Sequence, residues 1–127
     1  MPLQLTTVML GVKDLARSKK FYESLGCSLD QDHPNFVSFK LGAGSSSLAL
    51  YEWEAAAQDA GVSSEGSGFR GASFHYIVSS EQLVDEVIGQ AASSGGSVVK
   101  QPASAQWGGY FGYFSDPDGY LWKVAFS

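Results

Sequence analysis

The chain writes the same unit twice, 66 positions apart. Within Leu5 to Val12, Val8, Leu10 and Val12 alternate with Thr7, Met9 and Gly11; within Ala72 to Val78, Phe74, Tyr76 and Val78 alternate with Ser73, His75 and Ile77. A period of two puts each set on one face of a strand. Asp14 and Ser80 each stand two residues after the last valine, where a helix needs a side-chain acceptor for its free amides. Ser79, with Gln82 three residues on, offers a second way to cap the later helix, as a capping box. Behind the caps, Leu15, Ser18, Phe21, Tyr22 and Leu25 recur at helical spacing up to Gly26, and Leu83, Val87, Ile88 and Ala91 do so up to Gly95 and Gly96. Turn chemistry in step with hydrophobic pattern at one offset marks two copies of a supersecondary unit.

Short strand-like stretches follow each helix. They are Phe36 to Leu41 and Leu48 to Trp53 in the first half, with a weaker one just after Gly26, and Val98 to Lys100, Tyr110 to Phe114 and Tyr120 to Phe126 in the second. Each half therefore reads βαβββ, an α+β fold, with one module over about 1–53 and the other over about 69–127. In the linker, 54–68, Glu54 to Ala60 suits one or two helical turns, and Gly61 to Gly68 has the Gly and Ser content of a flexible connector. Asp116-Pro-Asp-Gly119 predicts a tight turn that folds the last two strands into a hairpin.

Size and charge narrow the function classes. With 127 residues the chain fits one domain able to bury its own core. No run approaches the ~20 apolar residues of a membrane helix, and Met1 to Thr7 lacks the basic and apolar segments of a signal peptide. The one cysteine, Cys27, cannot form an internal disulfide, which points to the cytoplasm; its place after a helix end reads as a partly buried structural thiol, with a reactive thiol as the alternative. A net charge of −5 and scattered basic residues argue against a nucleic-acid partner. Fifteen glycines and 13% aromatic residues suit a protein that takes a small molecule.

The run Leu10-Gly-Val-Lys-Asp-Leu-Ala-Arg-Ser18 leading to Phe21-Tyr22 and Leu25-Gly26, with Trp107-Gly-Gly-Tyr-Phe-Gly-Tyr-Phe-Ser-Asp-Pro-Asp-Gly-Tyr-Leu-Trp122 near the end, resembles the vicinal oxygen chelate superfamily of glyoxalases, bleomycin-resistance proteins and extradiol dioxygenases. Each motif lies in its expected half, and together they span nearly the whole chain. The resemblance implies two βαβββ modules forming a half-open barrel, with helices packed outside and a ligand cleft within. It also implies a homodimer, with the cleft inside one chain or shared by module exchange.

Metal-dependent members of that superfamily place one ligand, drawn from His, Gln and Glu, on each of four strands. Carried over, the positions fall on Thr7, Ser73, Ala49 and Lys123. Alanine has no donor and an ammonium repels a cation, so the expectation is a protein with no metal and no cofactor. The alternative is one divalent metal on a rearranged site using His75 with Glu52, His33 or a tyrosine.

The remaining candidates are weighed against plainer roles. His75 either contacts a ligand or simply bonds a neighbouring side chain. Lys123 either pairs with an internal carboxylate such as Glu52 or anchors a ligand's carboxylate, phosphate or phenolate; a base or Schiff-base role is a further option. Tyr51 shares the face of Ala49 and Met9, and Trp107, Tyr110 and Tyr113 lie on the glycine-rich approach to the last hairpin. There Gly108, Gly109 and Gly112 either leave room for a stacking ligand or serve bends and bulges. Phe21, Tyr22 and Trp122 read as core. The preferred function is metal-independent binding, including sequestration, of a small aromatic or anionic organic molecule at Thr7, Met9, Ala49, Tyr51, Ser73, His75, Trp107, Tyr110 and Lys123. The alternative is a lyase, isomerase or dioxygenase-like enzyme using a relocated metal or acid–base chemistry of His75 and Lys123. A surface devoted to assembly has no positive sign.

Overall fold

The structure is a computed structural model that describes residues 4–66, 68–106 and 108–127. It divides into two compact units, Met1–Gly66 and Ser67–Ser127. The first contains β1 (Thr7–Val12), α1 (Leu15–Ser24), β2 (Ser28–His33), β3 (Phe36–Lys40), β4 (Ser47–Glu52) and α2 (Trp53–Ala60). The second contains β5 (Phe74–Ile77), α3 (Glu81–Ser93), β6 (Ser97–Ser104), β7 (Tyr110–Ser115) and β8 (Leu121–Phe126). Each forms a four-stranded sheet, in the order β1-β4-β3-β2 and β5-β8-β7-β6. β1 runs parallel to β4, and β5 parallel to β8; the other pairs are antiparallel. This is the α+β arrangement of two βαβββ units expected from the repeat.

The repeat holds down to single contacts. Asp14 accepts from the Arg17 amide at 3.0 Å and Ser80 from the Leu83 amide at 3.1 Å. The cap of the second helix is thus Ser80; a Ser79 capping box does not form, and the Gln82 amide donates to Glu86 instead. The buried faces of the two helices repeat as well. Ser18 and Tyr22 of α1 are matched 66 positions later by Val84 and Ile88 of α3, all four buried. Both helices end on a glycine at positive φ, Gly26 at +90° and Gly95 at +104°, and the next amide returns to a helix carbonyl: Cys27 to Tyr22, Gly96 to Ala91.

In the first unit Phe21 and Tyr22 pack against the face formed by Leu10, Val12, Val37, Phe39, Leu48 and Leu50, and the rings of Tyr22 and Phe39 lie 6.3 Å apart. α2 sits on the opposite face, where a methyl on Gly11 would touch Ala56 Cβ at 3.5 Å. Glu52 starts α2 by accepting the Ala55 amide at 2.7 Å, and Trp53 Nε1 donates to the Ser64 carbonyl at 2.9 Å. In the second unit Trp122 stacks on Phe114 with ring centres 6.1 Å apart and tilts against Phe74 at 5.1 Å, on the helix side as its position in the alternation requires. The Asp116 turn closes through Gly119 N–H to Asp116 O at 3.0 Å, while Asp116 Oδ1 accepts from the amides of Asp118 and Tyr120, each at 2.9 Å.

β6 is longer than the three residues expected and carries two register shifts, between Val98 and Lys100 and between Lys100 and Ala103. Pro102, which has no amide to donate, is accommodated because β6 is an edge strand with bulges. This strand also corrects the reading of Gly112 as space for a ligand. A Cβ there would meet Lys100 O at 2.9 Å and Pro102 Cγ and N at 3.1 Å, so the chain's own backbone fills the gap. At Gly109 a Cβ would likewise meet Phe126 O at 3.1 Å.

Two predictions follow from the packing. Gly112→Ala should destabilise the protein by about 1–3 kcal/mol, the usual range for overpacking, seen as a lower midpoint in thermal or urea unfolding; an unchanged midpoint would show that β6 yields freely. Burial raises the Cys27 thiol to about 11. Alkylation of the folded protein by iodoacetamide should therefore be slow at neutral pH and become half-maximal near pH 11 rather than near 9, and a midpoint near 9 would contradict the burial.

Candidate ligand-binding site

Parallel pairing fixes where the candidate residues sit. In the first unit Thr7 lies beside Ser47, Met9 beside Ala49 and Gly11 beside Tyr51. Because strand side chains alternate, Thr7, Met9, Ala49 and Tyr51 share the face turned away from α1. Ala49 is 1% exposed, and Tyr51 stands edge-on to Phe36 with ring centres 5.7 Å apart. In the second unit His75 lies beside Lys123, the register place equivalent to Met9 beside Ala49. The positions carried over by resemblance therefore occupy matching places in the two sheets.

Across the second sheet, one row runs His75, Lys123, Tyr113, Lys100. Phe111, two residues before Tyr113 on β7, belongs to the same face, and its ring stands edge-on to Tyr113 at 6.2 Å. Lys123 Nζ lies 4.6 Å from the Phe111 ring centre and Lys100 Nζ lies 4.7 Å from it. Both contacts are cation–π in character. Among the described residues of the second unit no carboxylate comes within ion-pair distance of either amine, and Glu52, the carboxylate considered for Lys123, caps α2 in its own unit. His75 Nε2 is 3.2 Å from Ser73 Oγ, the neighbour bond of its plainer reading.

Tyr110 is corrected by the same alternation. It lies on the opposite face of β7 from Phe111 and Tyr113, and its hydroxyl donates to Asp85 Oδ1 of α3 at 2.6 Å. That hydrogen bond, joined by partial burial and the carboxylate's charge, holds the phenol above its usual range. Tyr110 thus fastens the helix to its sheet and faces away from the lysines. Trp107, also named as a candidate, lies outside the described residues. Lys100 and Phe111 were not singled out in the sequence. Phe111 could have been found by keeping strict alternation from Tyr113, whereas the bulges of β6 hide the direction of Lys100.

The side chains do not fit the metal that the superfamily resemblance implies. Thr7 and Ser73 offer weak neutral hydroxyls, Ala49 offers nothing and Lys123 brings a positive charge. Glu52 is engaged in capping α2, and His33 is exposed at the end of β2. Among the described residues no group of three His, Cys, Asp or Glu side chains gathers as a metal shell would.

Residues 4–124 match the Glyoxalase/Bleomycin resistance protein/Dioxygenase superfamily. No curated protein matches the chain. Among solved structures it is similar to a glyoxalase-related enzyme from Fulvimarina pelagi, with 26% identity and a TM-score of 0.87 over 98% of this chain and 88% of that one. It is also similar to hypothetical protein SA1046 from S. aureus, with 24% identity and a TM-score of 0.85 over 100% and 95% of the two chains. A glyoxalase/bleomycin resistance protein/dioxygenase family enzyme from Burkholderia phytofirmans PsJN gives 19% identity and a TM-score of 0.86 over 98% of both chains. These last two likenesses concern the fold alone. No described helix is long and apolar enough to cross a membrane. With its paired βαβββ units and a match over residues 4–124, the chain belongs to the glyoxalase, bleomycin-resistance and dioxygenase superfamily, whose fold serves small-molecule binding or catalysis.

Proposed function

We propose that this protein binds a small aromatic or anionic organic molecule without a metal, and that Lys123 is the anchor for its negative charge. The observation that carries the reading is the Lys123 amine itself. It stands where metal-dependent relatives carry a glutamate, has no carboxylate partner among the described residues of its own unit, and rests 4.6 Å from the Phe111 ring centre. A cation held over a ring exchanges that contact readily for a charge-assisted hydrogen bond to a carboxylate, phosphate or phenolate. The aromatic faces of Phe111 and Tyr113 supply the adjoining apolar surface, and His75 lies on the other side of Lys123.

Catalysis by His75 and Lys123 as acid and base is the second reading, favoured by their direct juxtaposition across the β5–β8 pair. The same proposal includes a homodimer and a cytoplasmic location, supported by the habit of many relatives and by a single cysteine.

Titration with Mn, Fe, Ni and Zn, watched by thermal shift together with metal analysis of the purified protein, should show no stoichiometric uptake; one ion per chain would overturn the metal-free reading. Aromatic carboxylates should quench the tryptophan fluorescence saturably. Lys123→Glu should then weaken their binding by about tenfold or more, the factor expected for losing a hydrogen bond to a charged group. Unaltered affinity in that variant would remove Lys123 as the anchor.

A further inference from the structure

The second lysine narrows the kind of ligand. We infer that Lys100 and Lys123 together form a two-cation site on Phe111 for an organic dianion, either a phosphate monoester or a dicarboxylate attached to an aromatic group. The inference rests on the proposed anion-binding role of Lys123 and deepens it.

The geometry is contained in the second unit. Tyr113 lies between the two lysines in the row across β8, β7 and β6, and both ammonium groups come within 4.7 Å of one ring centre. The two amines reach the ring from the two strands that flank β7, Lys123 from β8 and Lys100 from β6. Among the described residues of the second unit neither amine has a carboxylate within ion-pair distance. The chain as a whole carries a charge of −5, so this local concentration of positive charge runs against its overall balance. A monoanion can neutralise one ammonium group; a dianion can neutralise both.

The ring also sets a shape. An aromatic ligand can lie against Phe111 or Tyr113, with its anionic end reaching the amines, whereas an inorganic ion would use the charges and leave the rings uncovered. His75, bonded through Nε2 to Ser73, is next to Lys123 and extends the polar row. The bulge on either side of Lys100 gives this residue its direction: the register shifts between Val98 and Lys100 and again before Ala103, leaving Lys100 paired with Tyr113. Lys100 is exposed, so its replacement should leave the fold intact.

The test is calorimetric titration of the full chain at low salt, pH 7.5, with phthalate, phenyl phosphate, benzoate and inorganic phosphate. At least one of the two aromatic dianions should bind about tenfold or more tighter than benzoate and than inorganic phosphate, the scale of one added charge-assisted contact. Whichever of phthalate and phenyl phosphate binds tighter tells whether the two charges sit on two groups or one, and either result supports the site. Lys100→Gln should bring the dianion down to the affinity of benzoate while changing benzoate itself by less than about twofold, and Lys100→Arg should restore most of the difference. Lys123→Gln should weaken all the aromatic anions. If benzoate depends on Lys123 but the dianion preference survives Lys100→Gln, the two-cation site is overturned and the simpler anchor stands. If no aromatic anion binds the wild-type chain, both readings fall.

Discussion

In each half of this protein the last strand must return alongside the first and run in the same direction. One helix and two antiparallel strands lie between them, so a shift of one residue in that parallel pair would turn every side chain of the returning strand to the other face. The register is held by apolar residues that must stay on the helix side: Leu48 and Leu50 beside Val8 and Leu10, and Trp122 and Val124 beside Phe74 and Tyr76. With those in place, Ala49 can only lie beside Met9 and Lys123 beside His75. The site's chemistry is a by-product of where the core requires its leucines and tryptophan.

Against that fixed frame, Lys123 reverses the charge of the glutamate that the superfamily resemblance implies at its place. A carboxylate beside His75 would contribute a ligand to a divalent ion; an ammonium group at the same place repels one and attracts anions. Lys123 occupies a regular place in the β8 ladder, between Tyr113 and His75. The long aliphatic stem of lysine lets the charge reach the Phe111 ring while the backbone stays put. In the first unit the corresponding place holds a buried alanine.

Much of the scaffold was legible in the sequence because it depends on local chemistry. Asp14 and Ser80 cap helices through their own side chains, and Gly26, Gly95 and the Asp116 turn act within a few residues, so spacing alone reveals them. The misread positions depend on partners distant in sequence. Tyr110 and Tyr113 look alike along a glycine-rich run, but three residues apart on a strand they face opposite ways, and only the contact with Asp85 shows which one leaves the lysine face. At Gly112 the sequence leaves both ligand space and a bend or bulge open, and only the crossing of Lys100 and Pro102 decides against the space. Lys100 follows two breaks in register that no hydrophobic pattern announces. Glu52, a plausible donor in isolation, turns out to begin α2.

The outermost strands opposite β1 and β5, namely β2 and β6, both break register, and each adds a protection of its own. β2 is exposed throughout and carries Asp30 and Asp32, the latter paired with Lys19 at 2.8 Å. Its resistance to pairing with a foreign strand draws on these ionised groups, which acid or concentrated salt would weaken, and on a register shift between Leu29 and Gln31. β6 instead presents Pro102 and two irregularities of register, and these persist whatever the solvent. Both rims are thus interrupted in register, and the first adds carboxylates to its irregularity, so a harsh solution would strip away only the charged part of that half's defence.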